Sequence, residues 1–185
     1  MRMAGAASLD SRQFAIGAPQ STDIDILGLA FRGVAARFRL RGVRGTALLR
    51  LYNRFLPEED CPLEMEAAAE AELDEFDDLV QLLLDHRGDD AEETEWLACA
   101  VATACFGENH LWQDMGLPNR AVLSELLRVH FTALHDKNEG NMKWKKFFYK
   151  QICERMRVQV CKAPSCSVCC DYQQCFGPEE DETAS

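Results

Sequence analysis

Five cysteines fall within fifteen residues near the end of the chain, in CKAPSCSVCCDYQQC from Cys161 to Cys175. Their separations are C-x4-C from Cys161 to Cys166, C-x2-C from Cys166 to Cys169 and C-x5-C from Cys169 to Cys175. Cys170 follows Cys169 directly. A C-x2-C turn brings two sulfurs onto one metal centre, and longer arms reach round its other side. Four thiolates in one compact run are the ligand set of an iron–sulfur cluster. Structural zinc prefers two short cysteine pairs parted by a longer spacer. A second short pair exists here only if Cys170 is counted with Cys175. Spacing therefore favours iron–sulfur and leaves zinc open.

Disulfides are the third use of such a run. The chain has nine cysteines, and its first thirty residues lack a basic start, an apolar stretch and a cleavage site. The expected compartment is the cytoplasm, where thiols stay reduced. No apolar run reaches the roughly 18–20 residues of a membrane helix. Free thiols or metal ligands are thus the expected fate of the cysteines, with no membrane partner.

The elements that position the run must come from the rest of the 185 residues, enough for one domain with a real core. Residues 1–25 show no period and read as a loose N-terminus. Residues 26–41 and 46–56 read as two short arginine-rich helices, broken by RGVRG and closed by Pro57. Leu73, Phe76, Leu79, Val80, Leu83 and Leu84 recur at helical spacing on one face. Residues 91–105 form the next helix, with Glu92, Glu93 and Glu95 near its start, where acids suit the helix dipole. Asn119 is a cap candidate for a helix over 120–131, HDKNEGN is a polar break, and 141–157 make a last helix. No strand alternation is found. The expected fold is all-α: a helical domain over 26–157, an irregular cysteine-rich loop over 158–178 and an acidic tail over 179–185.

Charge is unevenly spread over this frame. The chain carries a net −11, yet residues 28–54 hold seven arginines and no acid, and residues 58–95 hold seventeen acids and one base. Residues 137–162, which lead into the cysteines, carry a surplus of +6. Such a field favours an anionic cluster and attracts oxyanions, while PEEDE after Gly177 opposes it. The plain alternative for Lys143, Lys145 and Lys146 is a solvated helix face. The basic and acidic blocks are also free to pair within the fold. A protein this acidic is a poor nucleic-acid binder, so the aromatics Trp144, Phe147, Phe148 and Tyr149 are assigned to core and shielding roles.

Other chemistry-bearing residues are fewer. His110, near Glu108 and Asp114, is a secondary ligand candidate, though a connector histidine bonded into the structure is the commoner case. His130 and His135 are off the metal-helix spacing and are read as surface residues. Cys99 and Cys105 are read as small core residues. Cys153 is a spare ligand candidate or a packing residue, and Cys61 has no evident partner. Phosphate loops, nucleophile elbows, HExxH and dinucleotide fingerprints are absent, so catalytic turnover is not indicated.

MKWKKFFYKQIC followed by CKAPSCSVCCDYQQCFGPEE resembles the C-terminal signature of the nitrogen-fixation NifQ family. Cys161, Cys166, Cys169 and Cys175 match its C-x4-C-x2-C-x5-C pattern, while Cys170 lies outside it and offers a second register. ATACFGENHLWQDMGLPNR and EFDDLVQLLLDHR resemble the family's central region, so the likeness spans about residues 73–178. The resemblance implies an iron–sulfur cluster, of 4Fe-4S or 3Fe-4S type, that takes up molybdenum from molybdate or a molybdenum–sulfur species. It implies delivery of molybdenum to the machinery that builds the nitrogenase iron–molybdenum cofactor, with the NifEN scaffold and the NifH iron protein as partners. It makes Cys161, Cys166, Cys169 and Cys175 the metal ligands, while Cys170, Cys153 and His110 stand as secondary candidates on their residue types and positions alone. The rival function is a zinc-stapled interaction module with no role in cluster transfer.

Overall fold

A computed structural model of the chain describes residues 21–62, 74–157 and 172–179. The described elements are α1 (Ser21–Arg37), α2 (Gly45–Phe55), α3 (Asp74–Leu84), α4 (Glu92–Cys105), α5 (Leu111–Asp114), α6 (Arg120–His130), α7 (Thr132–Asp136), α8 (Trp144–Arg155) and α9 (Tyr172–Phe176). All are helices, as the sequence pattern predicts.

The buried helix α4 organises the rest. Thr94 and every residue from Trp96 to Cys105 are buried, so this helix has almost no wet face beyond its acidic first turn. Its run of Ala98, Ala100, Ala102 and Ala104 keeps it thin enough for neighbours to approach from several sides. It packs against α1, α3 and α5, and α8 packs on α3. The apolar faces of α2, α3, α6 and α8 contribute Leu51, Phe55, Leu79, Leu83, Leu123, Leu127 and Phe148 to one core.

The basic and acidic blocks do meet. Arg50 pairs with Glu92 and Arg54 with Glu93, joining α2 to the start of α4, and Arg155 of α8 pairs with Asp85 at 2.9 Å. These pairs are exposed and screened, so they orient the helices more than they stabilise them.

Several local expectations are corrected. Helix α1 begins at Ser21, inside the stretch read as loose, and ends at Arg37 rather than at residue 41. Three one-turn helices, α5, α7 and α9, lie in stretches read as irregular, because one turn is too short for a 3.6-residue period to register. His130 is not a surface residue. Phe131 takes φ −134° and ψ 50°, ending α6, and the chain turns at once into α7. His130 is thereby buried beside α4, with its Nδ1 2.9 Å from Thr94 Oγ1.

One close approach rests on two glycines. A Cβ on Gly33 would lie 2.1 Å from the carbonyl oxygen of Met115 and 2.7 Å from Gly116 Cα. Gly116 itself has φ +66°, a conformation side chains disfavour. Helix α1 thus meets the end of α5 backbone to backbone. Gly33→Ala is expected to destabilise the fold by about 2 kcal/mol or more, lowering the thermal midpoint by several degrees in calorimetry.

The two α4 thiols behave as core groups. Burial pushes Cys99 up to about 11 and Cys105 up to about 12, from an ordinary 9.0. At pH 8 less than roughly one in a hundred of either is thiolate, so both should resist alkylation in the native protein and react on unfolding. Above pH 9 the unfolded chain ionises these thiols and the native one does not. Stability is therefore predicted to fall as pH rises above 9, by about 1.4 kcal/mol per pH unit for each thiol, the loss ending near pH 11 for Cys99 and near pH 12 for Cys105.

Candidate functional site

Of the cysteine run, Cys175 falls within the described residues, while Cys161, Cys166, Cys169 and Cys170 lie outside them. Cys175 is a free, half-buried thiol on α9. Its backbone carbonyl accepts a 2.8 Å hydrogen bond from the amide of Lys143, the N-cap of α8. The amide of Gly177 closes the α9 turn onto the Gln173 carbonyl at 2.8 Å. A side chain at Gly177 would come within 2.4 Å of that oxygen. Phe176 stacks on Tyr172 with centroids 4.6 Å apart and packs against the core. The backbone of the run's last cysteine is thus held at the basic end of α8.

That end of α8 is itself anchored from below. Asp114 is buried, its side chain only 2% exposed, and its Oδ2 lies 2.5 Å from Lys145 Nζ. The amide of Asn109 donates to Oδ2 at 3.2 Å and its side-chain amide to Oδ1 at 3.0 Å. Lys145 also donates to the Gly107 carbonyl at 2.8 Å. A Cβ on Gly107 would lie 2.3 Å from Asp114 Oδ2, so the connector after α4 needs glycine there to close over the carboxylate. Trp144 Nε1 donates to Ser124 Oγ at 3.0 Å, tying the same turn to α6.

Behind Cys175 stands an arginine. Arg120 Nη1 donates to Glu179 Oε1 at 2.8 Å, and Nη2 donates to the carbonyls of Asn141 and Met142 at 3.0 and 2.9 Å. Glu179 has a side chain only 6% exposed. Between these groups lies a cavity of about 540 Å³, lined among others by His110, Lys143, Lys145, Lys146, Gln174 and Glu179. No side chain caps α8, and three lysines at its start line this cavity. The balance is basic but not as basic as the sequence suggests, because Lys145 is neutralised by Asp114.

The structure places His110 differently from the expectation built on its neighbours. Asp114 turns to Lys145 and Asn109, while Glu108 is exposed. The carboxylate nearest His110 is Glu179, with Nδ1 to Oε1 at 3.9 Å. Cys153 is half-buried on α8, ten residues beyond Lys143 and so about 15 Å along the axis from the end that holds Cys175. Among the described residues, no group of three or more His, Cys, Asp or Glu is arranged to hold a metal. Cys175 fits the chemistry expected of it: a free thiol, partly open to solvent, is the soft donor that iron–sulfur sites take.

Three participants escaped the sequence reading. Asp114 entered only as a neighbour of His110, Arg120 only as the start of a helix, and Glu179 only as the first residue of an acidic tail. Each is defined by a partner 31 or 59 residues away, which no local period announces.

The family described as NifQ matches residues 24–177, so the likeness also takes in α1 and α2, where the motifs alone gave no footing. Protein NifQ of Azotobacter vinelandii is 48% identical over 121 residues, 65% of this chain and 62% of that protein. Protein NifQ of Rhodobacter capsulatus is 36% identical over 138 residues, 75% of this chain and 76% of that protein. Protein NifQ of Klebsiella pneumoniae is 44% identical over 81 residues, 43% of this chain and 48% of that protein. The chain thus spans under two thirds of the Azotobacter relative that it matches. No solved structure matches it. With the motif, the central region and both arginine-rich helices inside one continuous match, the chain belongs to the NifQ family.

Proposed function

We propose that the protein acts in nitrogen fixation as a non-catalytic carrier that holds an iron–sulfur cluster and delivers molybdenum for the nitrogenase iron–molybdenum cofactor. The observation that carries this reading is the cysteine run itself, with its last thiol seated at the basic end of α8. Cys161, Cys166, Cys169 and Cys175 would hold the cluster through four thiolates. A bound cluster would supply the iron and sulfide bed on which the molybdenum cargo is taken up.

The protein's own groups account for binding and approach. Molybdenum reaches a cell as an oxyanion, and molybdenum–sulfur species are also anionic. Lys143 and Lys146 have no carboxylate partner among the described residues, so their charge remains available to attract such a species beside Cys175. Lys145 is committed to Asp114 and contributes position rather than net charge. The receiving partners in this reading are the NifEN scaffold and the NifH iron protein. No helix among the described residues is long and apolar enough to cross a membrane.

Two sets of variants test the proposal in anaerobically purified protein. Cys169→Ser should lose its iron and sulfide, while Cys170→Ser should keep most of both. Equal loss in the two, or loss with Cys170→Ser alone, would show that the other register holds the metal. Lys143→Glu combined with Lys146→Glu should keep the iron yet acquire molybdenum several-fold more slowly, and more slowly still as salt is lowered, because screening weakens with dilution. A wild-type protein that binds about one zinc and no iron through these thiols would overturn the proposal in favour of a stapled interaction module.

A further inference from the structure

We infer that Arg120 and Glu179 are positioning residues that hold the Cys175 thiol in place, and that the residues just after the cysteine run are a clasp rather than a solvated tail. The inference rests on the proposed function for its purpose, but its geometry stands apart from any cluster.

Segment 172–179 touches the helical body at several points, and three of them bear on Cys175. The Lys143 amide holds the Cys175 carbonyl at 2.8 Å. Phe176 packs against the core beside Gly140, where an added Cβ would stand 3.3 Å from its ring. Glu179 then inserts its carboxylate against Arg120 at 2.8 Å, with a side chain 6% exposed. Among the described residues this ion pair is the segment's closest charged tie to the body. Arg120 is in turn fixed by the Asn141 and Met142 carbonyls and by Asn141 Oδ1 at 2.9 Å. Asn141 has φ 53°, so the loop into α8 is bent to present those oxygens. One guanidinium therefore joins the start of α6, the entry to α8 and the end of the cysteine segment.

Energetics argue for a positioning role. Burying a carboxylate and a guanidinium removes both from water, and the pair roughly breaks even against apolar packing. Here the cost is not fully met, since Glu179 Oε2 and Arg120 Nε are buried without partners among the described residues. Two carbon faces would bind the segment as tightly. A bidentate-capable cation facing a single acid defines register instead, because any other placement strands a buried charge. Glu179 lies four positions after Cys175, and Gly177, which closes the end of α9, stands between them. Fixing the acid therefore fixes the thiol. Glycine at 177 and the ion pair at 179 serve the same end.

The test is peptide-resolved alkylation of the full chain, reduced and metal-free, under native conditions. Glu179→Ala leaves the contacts of Arg120 to residues 141 and 142 intact, and Arg120→Ala removes both sets. Cys175 should react roughly tenfold faster in each variant, the change expected when a charge-assisted hydrogen bond no longer opposes local opening. Cys153 should be unaffected, and Arg120→Lys, which keeps the charge, should recover part of the protection. In a parallel anaerobic sample loaded with iron, Glu179→Ala should surrender iron to a chelator several-fold faster than wild type. Alkylation rates at Cys175 that stay within about twofold of wild type in Glu179→Ala would overturn the inference, whether or not Arg120→Ala folds. A wild-type chain that takes up no iron would instead overturn the proposed function, and the alkylation rates alone would then decide whether the clasp exists.

Discussion

The buried carboxylate of Asp114 is the constraint from which the rest of the site follows. A charge with only 2% of its side chain exposed must find a cation, and the cation it finds is Lys145 on the first turn of α8. That pairing draws α8 onto the connector between α4 and α5, and requires glycine at 107 for the backbone to close over it. Removing one partner from such a pair costs about 3–5 kcal/mol, so the position of α8 is strongly determined. Everything that holds Cys175 is built on that position: the Lys143 amide is one residue before the helix, and Asn141 and Met142 lead into it.

The division of labour is therefore between a rigid body and a graft. Helix α4, buried almost all round, leaves the body little freedom. Helix α8 ends at Arg155, and the backbone of the run's last cysteine, on α9, is bonded to the opposite end of that same helix. A carrier needs such an arrangement more than an enzyme does. Its ligands must release cargo to another protein, while the fold that presents them stays put. In the proposed carrier role, Cys175 would give a cluster its address, and the lysines beside it would bias which species approach.

The sequence made the long elements legible and the short ones not. Helices α3, α4 and α6 follow from apolar spacing, and Asn119 does cap α6, accepting from the Val122 amide at 3.0 Å. The one-turn helices have no period to read. His130 reads as a surface histidine because its spacing to His135 is off that of a metal-binding helix, yet the break at Phe131 turns it inward to Thr94. The basic surplus before the cysteines was visible, but a residue count does not reveal that Lys145 is spent on Asp114 or that Arg120 is spent on Glu179. Such pairings arise from tertiary packing. The metal-binding potential, by contrast, is a property of thiol spacing, so the motif could be read where its surroundings could not.

The most direct measurement for the account is molybdenum-edge X-ray absorption on the full chain, purified without oxygen from cells supplied with molybdate. The account predicts a molybdenum signal whose nearest neighbours are sulfur and iron, present in the wild type and lost in Cys175→Ser. A protein without molybdenum, or one whose molybdenum has only oxygen neighbours and is unchanged in Cys175→Ser, would contradict it.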